Sequence, residues 1–114
     1  MLKKDLRLRK QKDFDRVFGK EGRFFAEKCL SLKVAPNGLD ESRFGFIVSN
    51  KVSKSAVRRN RIKRLLRESI RLRWDAIKPG LDVVVMVRSD ISENTFVDVD
   101  KAVDSLLKKS GILA

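Results

Sequence analysis

Asn50-Lys51-Val52-Ser53-Lys54-Ser55-Ala56-Val57-Arg58-Arg59-Asn60-Arg61-Ile62-Lys63-Arg64-Leu65-Leu66-Arg67-Glu68 sets eight cations against one acid. It is not a random basic tail. Ile62, Leu65, Leu66, Ile70 and Trp74 recur through and beyond it at helical spacing, so one face can pack on a core. The spacing predicts a helix that starts near Ser55, a good N-cap, and runs to about Ile77, where Pro79-Gly80 ends it. On the same projection Asn60, Arg64, Arg67 and Arg71 form a stripe on the face away from the core. A folded helix with this much positive charge implies a polyanionic partner.

Working outward, Asp82 to Arg88 is a short, continuously apolar run, which suits a central strand covered on both faces. A last helix is expected from about Thr95 to Lys109. Phe96, Val99, Val103, Leu106 and Leu107 form its stripe, and its acids and bases sit at the ends the macrodipole favours. Upstream, Arg43 to Ser49 alternates as a strand: Phe44, Phe46 and Val48 on one face, Gly45, Ile47 and Ser49 on the other. Phe24 to Val34 reads as another, with Leu30, Leu32 and Val34 alternating against Ser31 and Lys33. Pro36-Asn37-Gly38 and the polar turn after it predict that these two strands form a hairpin. A short helix from about Lys10 to Phe18 precedes them, with Phe14, Val17 and Phe18 on one face. Residues 1–9 read as a flexible basic arm. The order αββαβα predicts a single α+β domain over residues 1–114, a sandwich with helices packed on a mixed sheet of the four-stranded type.

The chain has 114 residues, 42% of them hydrophobic, with 27 Lys and Arg against 15 Asp and Glu and a formal net charge of +12. That balance is the electrostatic footprint of a nucleic-acid binder. Cys29 is the one cysteine and histidine is absent, which excludes an internal disulfide and His-based acid–base or zinc chemistry. With no apolar leader at the N-terminus and no stretch of membrane-spanning length, a soluble, cytoplasmic protein without a membrane partner is expected.

The start of the basic helix is informative. Arg58, Arg59 and Arg61 occupy its first two turns, with Lys51 and Lys54 just before. Cations there oppose the positive end of the helix dipole, by roughly 0.3–1 kcal/mol each when exposed. The same free N–H groups favour a bound phosphate. The arrangement therefore reads as an anion site kept at a local cost in stability. Guanidinium forks match phosphate geometry better than lysine does.

The string from Ser55 to Glu68, with its Arg59-Asn60-Arg61 core followed by Ile62-Lys63-Arg64, resembles the signature of the bacterial ribonuclease P protein subunit family. The resemblance extends to the first helix with its paired aromatics and to Phe44-Gly45-Phe46-Ile47-Val48-Ser49. It implies a protein that binds a large catalytic RNA, which carries the active site and its magnesium ions, to remove the 5′ leader from precursor tRNA. The protein itself would have no catalytic residue, no metal and no cofactor. A left-handed βαβ crossover carrying the motif helix is implied too, against the general preference for right-handed ones. Carried over, Lys51, Arg59, Asn60, Arg61, Lys63, Arg64 and Arg67 should touch RNA. Phe14 and Phe18 match aromatics that line a leader-binding cleft between the first helix and the sheet. Leu32 stands where the first strand often carries a cleft-facing aromatic, and Ile47 where a small polar residue can occur. Arg88, ending the central strand, is a further candidate for leader contact by position.

Other functions are weighed on the residues. A ribosomal or translation-associated RNA-binding protein shares the charge and size, but nothing about it accounts for the Arg-Asn-Arg string. A self-sufficient nuclease needs positioned carboxylates or other acid–base groups, and the acids here are scattered over helix ends and turns. A sequence-specific DNA reader would need a base-reading element, and the arginine stripe suits phosphates, which position without specifying.

Overall fold

The computed structural model describes residues 7–113. Its elements are α1 (Gln11–Phe18), β1 (Arg23–Ala26), β2 (Leu30–Pro36), β3 (Arg43–Ile47), α2 (Ala56–Leu72), β4 (Leu81–Val87) and α3 (Phe96–Lys109), with a 3-10 turn over Trp74–Ala76. The sheet runs β1-β2-β4-β3. The β1–β2 and β2–β4 pairs are antiparallel, while β3 and β4 are parallel and joined through α2. The fold is therefore α+β, three helices on a four-stranded mixed sheet.

Four expectations change. The expected strand from Phe24 to Val34 is two strands folded back on each other: Glu27-Lys28 interrupts the apolar alternation, and the Glu27 N–H donates to the Leu30 carbonyl at 2.8 Å. The expected hairpin of β2 with β3 does not form, because β4 lies between them. The run Val83 to Val87 is apolar on both faces and can satisfy both of its faces and edges only at the sheet's centre. The basic helix ends at Leu72 rather than Ile77, and Ile77 instead bridges to Leu113. Of the expected arm, Arg7 and Leu8 are docked on β3: Leu8 is buried, its N–H donates to the Phe44 carbonyl at 2.8 Å, and Arg7 bridges to Phe44. The remainder of that arm lies outside the described residues.

Pleating sends alternate residues to opposite faces. Leu30, Leu32, Val34, Phe44, Val83 and Val85 meet Ile62, Leu66 and Ile70 of α2 and Val103, Leu106 and Leu107 of α3 in the main core. Fully burying each such side chain contributes about 1.5–3 kcal/mol. Trp74 closes the end of this layer, its ring edge-on to Phe44 at 5.8 Å between centroids. On the other face Leu8 and Val17 cover Ala35 and Val84 in a smaller core. The last turn of α2 is tied to α3 by Arg73, which donates to Asp100 and Asp104, while the Ser69 hydroxyl donates to Asp100 at 2.6 Å. No helix of the described residues is long and apolar enough to cross a membrane.

One ionic cluster fixes α1 on the sheet. Asp82 of β4 is fully buried and accepts from Arg43 of β3 at 2.9 and 2.7 Å, from Asn37 at 3.0 Å, and from Arg16 of α1. The hydrogen bond to Asp82 holds the Arg43 guanidinium above its usual pKa. Because Arg16 comes from α1 and Asp82 from the central strand, this cluster sets where Phe14 and Phe18 stand.

Candidate nucleic-acid interface

Helix α2 begins as expected: Ser55 is the N-cap, and its side chain accepts from the Arg58 N–H. No acid stands in the first turn. The arginines around it are held in different ways. Arg59 donates to the Ser53 carbonyl at 2.9 Å, and Arg61 to the Ser92 carbonyl at 2.7 Å. A carbonyl orients a guanidinium without neutralising it, so both keep their full charge for an outside anion. Arg58 differs, lying 3.6 Å from both Asp90 and Glu93. Lys51, Lys54, Asn60 and Arg64 are exposed, and Lys63 is half-buried. Val57, Asn60, Arg64 and Arg67 bound one open groove. Arg71 is exposed on the same stripe, but its fork is taken by Glu68 at 3.1 and 2.5 Å.

Arg67 departs from the solvated stripe. It is half-buried, its guanidinium 5.9 Å from the centre of the Phe46 ring, and its Nε is buried with no hydrogen-bond partner. Burial, and next the charge of Arg7, lower its pKa. The Nε of Arg7 is buried and unpartnered as well. Together with Arg9, Phe14 and Phe46 these two arginines line a groove running from α2 to α1.

That groove opens on the α1 face of the sheet. Phe14 lies over Gly45: a methyl group there would stand 2.7 Å from the ring, so only glycine admits the contact. Phe18 is exposed, and the Lys33 ammonium lies 5.5 Å from its ring centre. Lys33, Val84 and Gly45 form one row across β2, β4 and β3, and Ser31, Met86 and Ile47 form the next. Ile47 is partly open to solvent on this face. Arg88 is exposed beyond the end of β4 and donates to the Glu27 carbonyl at 3.3 Å.

Leu32 does not line this cleft. It is fully buried in the main core beside Leu66 and Ile70, on the opposite face. The alternation of β2 already separates Leu32 from Ser31 and Lys33, and it is these two that share the α1 face. Sequence reasoning also passed over Arg7, Arg9 and Phe24. A basic, apparently unpatterned N-terminus hid the first two, and Phe24 fell inside a strand read without its turn.

The model of the family described as ribonuclease P matches residues 2–111. Among curated relatives, the ribonuclease P protein component of Clostridioides difficile is 43% identical over 106 residues, 92% of this chain and 91% of that one. That of Caldanaerobacter subterraneus is 40% identical over 110 residues, 96% and 93% of the two chains. The solved RNase P protein of Staphylococcus aureus superposes with a TM-score of 0.86 at 28% identity, covering 96% of this chain and 98% of that one. The RNase P protein of Thermotoga maritima gives 0.80 at 36% identity, covering 90% and 96%. Sequence, fold and the arginine-bearing helix agree, and the chain belongs to the ribonuclease P protein family.

Proposed function

We propose that this chain is the protein subunit of ribonuclease P, binding the catalytic RNA through α2 and the 5′ leader of precursor tRNA in the cleft beneath α1, in the cytoplasm. One observation carries the reading: the motif arginines Arg59 and Arg61 are oriented by carbonyls with no acid partner among the described residues, on the same helix as Arg67, which lines a basic and aromatic cleft. Such a helix neutralises phosphates where RNA strands crowd together, and each neutralised phosphate releases counterions. Phe14 and Phe18 offer rings on which unpaired bases stack in a sequence-tolerant way, worth roughly 1–3 kcal/mol per base. Mature tRNA has no leader, so binding energy from the cleft favours substrate over product.

The chemistry is assigned to the RNA and its magnesium. The protein's most buried carboxylate, Asp82, is enclosed by Arg16, Arg43 and Asn37, and Asp100 by Arg73 and Ser69, so neither is presented to a metal or a water nucleophile. The test is cleavage of precursor tRNA by a bacterial ribonuclease P RNA at low magnesium, with and without the protein. Strong stimulation that disappears when Arg59 and Arg61 are replaced by alanine is expected. Tight RNA binding without stimulation would instead favour a ribosomal partner.

A further inference from the structure

Phe24 is the most exposed aromatic residue among those described, at 57%. It lies on the edge strand β1, directly opposite Lys33 of β2. Cross-strand partners share a face. The next pair, Phe25 and Leu32, faces the main core, so Phe24 and Lys33 face the α1 side. Lys33 in turn reaches the Phe18 ring. Phe14 over Gly45 of β3, Phe18 beside Lys33 of β2, and Phe24 on β1 therefore step across the sheet in one direction. From β3 to β1 is three strand spacings, about 14 Å.

We propose that Phe24 is a third stacking platform for the precursor leader, extending the cleft across the sheet to its β1 edge, with Lys33 supplying the cation for the phosphate between the last two platforms. The proposal rests on the leader-cleft reading above and names a residue that decides how much of the leader is held. Its occupant is single-stranded RNA for three reasons. The surface is continuous with the Phe14–Phe18 cleft. Lys33, which pairs with Phe24 and reaches the Phe18 ring, is a cation. An exposed phenyl ring on an unpaired sheet edge is otherwise an aggregation liability. Bases stack on such rings whatever their sequence, so Phe24 adds affinity for leader length rather than for leader sequence.

The test measures dissociation constants of the reconstituted holoenzyme for precursor tRNAs of graded leader length and for mature tRNA, under conditions that block cleavage. Wild type, Phe24→Ala, Phe24→Trp and Phe14→Ala are compared. Phe24→Ala should weaken binding about tenfold, only for leaders long enough to cross the sheet, and Phe24→Trp should restore it. Equal affinities for wild type and Phe24→Ala at every length would overturn the proposal. So would a loss shared by short leaders and mature tRNA, or a Trp variant no better than Ala. If Phe14→Ala loses leader affinity while Phe24→Ala does not, the third platform alone falls. If neither responds, the leader-cleft reading falls with it.

Discussion

Two arginine clusters flank β3, one at its first residue and one against Phe46, and they differ in where their counter-charge lies. At Arg43 the acid is internal: Arg43 and Arg16 converge on buried Asp82. Beside Phe46 the described residues supply none: Arg67 and Arg7 crowd together with both Nε atoms buried and unpartnered. Arginines with an internal acid hold the fold. Arginines kept close together without one are less stable than they need be, and under the proposed function an RNA phosphate supplies the missing charge.

The first way to break this comparison is Asp82→Asn. It removes the acid shared by two guanidiniums and leaves only Asp13, 3.5 Å from Arg43, beside them. Removing one partner of a fully buried ion pair costs about 3–5 kcal/mol. Arg16 is a third exposed and Arg43 a fifth, so the low end is expected, about 3 kcal/mol in urea unfolding. Affinity for the RNA subunit per folded molecule, which rests on α2, should not change. A variant as stable as the parent would mean that the cluster does not anchor α1.

Arg67→Met should behave in the opposite way. The free protein should melt at the same temperature or higher, because a desolvated guanidinium beside a like charge is removed. Affinity for the RNA subunit should fall, and the slope of log affinity against log salt should drop by about 0.7–0.9 for the lost phosphate contact. Arg64→Ala should lower the slope by a similar amount with no effect on melting, since Arg64 is exposed. A slope that stays put would place either arginine away from phosphate.

This contrast was only half legible in the chain. Helical spacing placed Arg64 and Asn60 outward and Ile62, Leu66 and Ile70 inward, because a periodicity of 3.6 is local. It placed Arg67 on the solvated stripe, whereas Phe46 and Arg7 draw it into a groove, and those neighbours come from segments distant in sequence. The same limit explains the sheet. Strand β4 was legible as central from its unbroken apolar run, yet its insertion between β2 and β3 depends on long-range pairing that no local turn signal encodes. Leu32 shows the reverse case. The period-2 pattern already set it apart from Lys33, and assigning it to the cleft by family resemblance overrode the better local evidence.

A third arginine group sharpens the comparison through pH. Arg73 bridges α2 to Asp100 and Asp104 of α3. The hydrogen bond from Arg73 holds the Asp100 carboxyl below its usual value. Asp104 is lowered as well, by Lys108 first and then by Arg73. A carboxyl depressed in the folded state binds its proton more readily when unfolded. Its contribution is therefore complete above the unfolded value near 4 and is lost as pH falls through the folded value. Asp100→Asn should lower stability by about 1 kcal/mol at neutral pH, consistent with a partly exposed charged hydrogen bond. It should also flatten the fall in stability below pH 4. Thermal melts of both proteins from pH 3 to 7 check this, and parallel curves would remove Asp100 from the acid response.

The smallest effect belongs to Arg71, which sits between the two classes. Like Arg43 it has an acid of its own, Glu68, in a two-pronged contact three residues back. Like Arg64 it is exposed and lies on the stripe proposed to face RNA. Exposed pairs of this kind add little to stability and exchange readily for another anion. Both Glu68→Gln and Arg71→Ala should therefore leave the melting temperature unmoved. Their effects on RNA binding should be opposite in sign. Arg71→Ala should reduce the salt slope by less than Arg64→Ala does, since a phosphate taking Arg71 must first displace Glu68. Glu68→Gln removes that competitor and one repulsive charge, so it should tighten binding to the RNA subunit slightly and steepen the slope. If Glu68→Gln weakens binding instead, Glu68 is orienting Arg71 for RNA as Ser92 orients Arg61, and an internal acid no longer marks an arginine as purely structural.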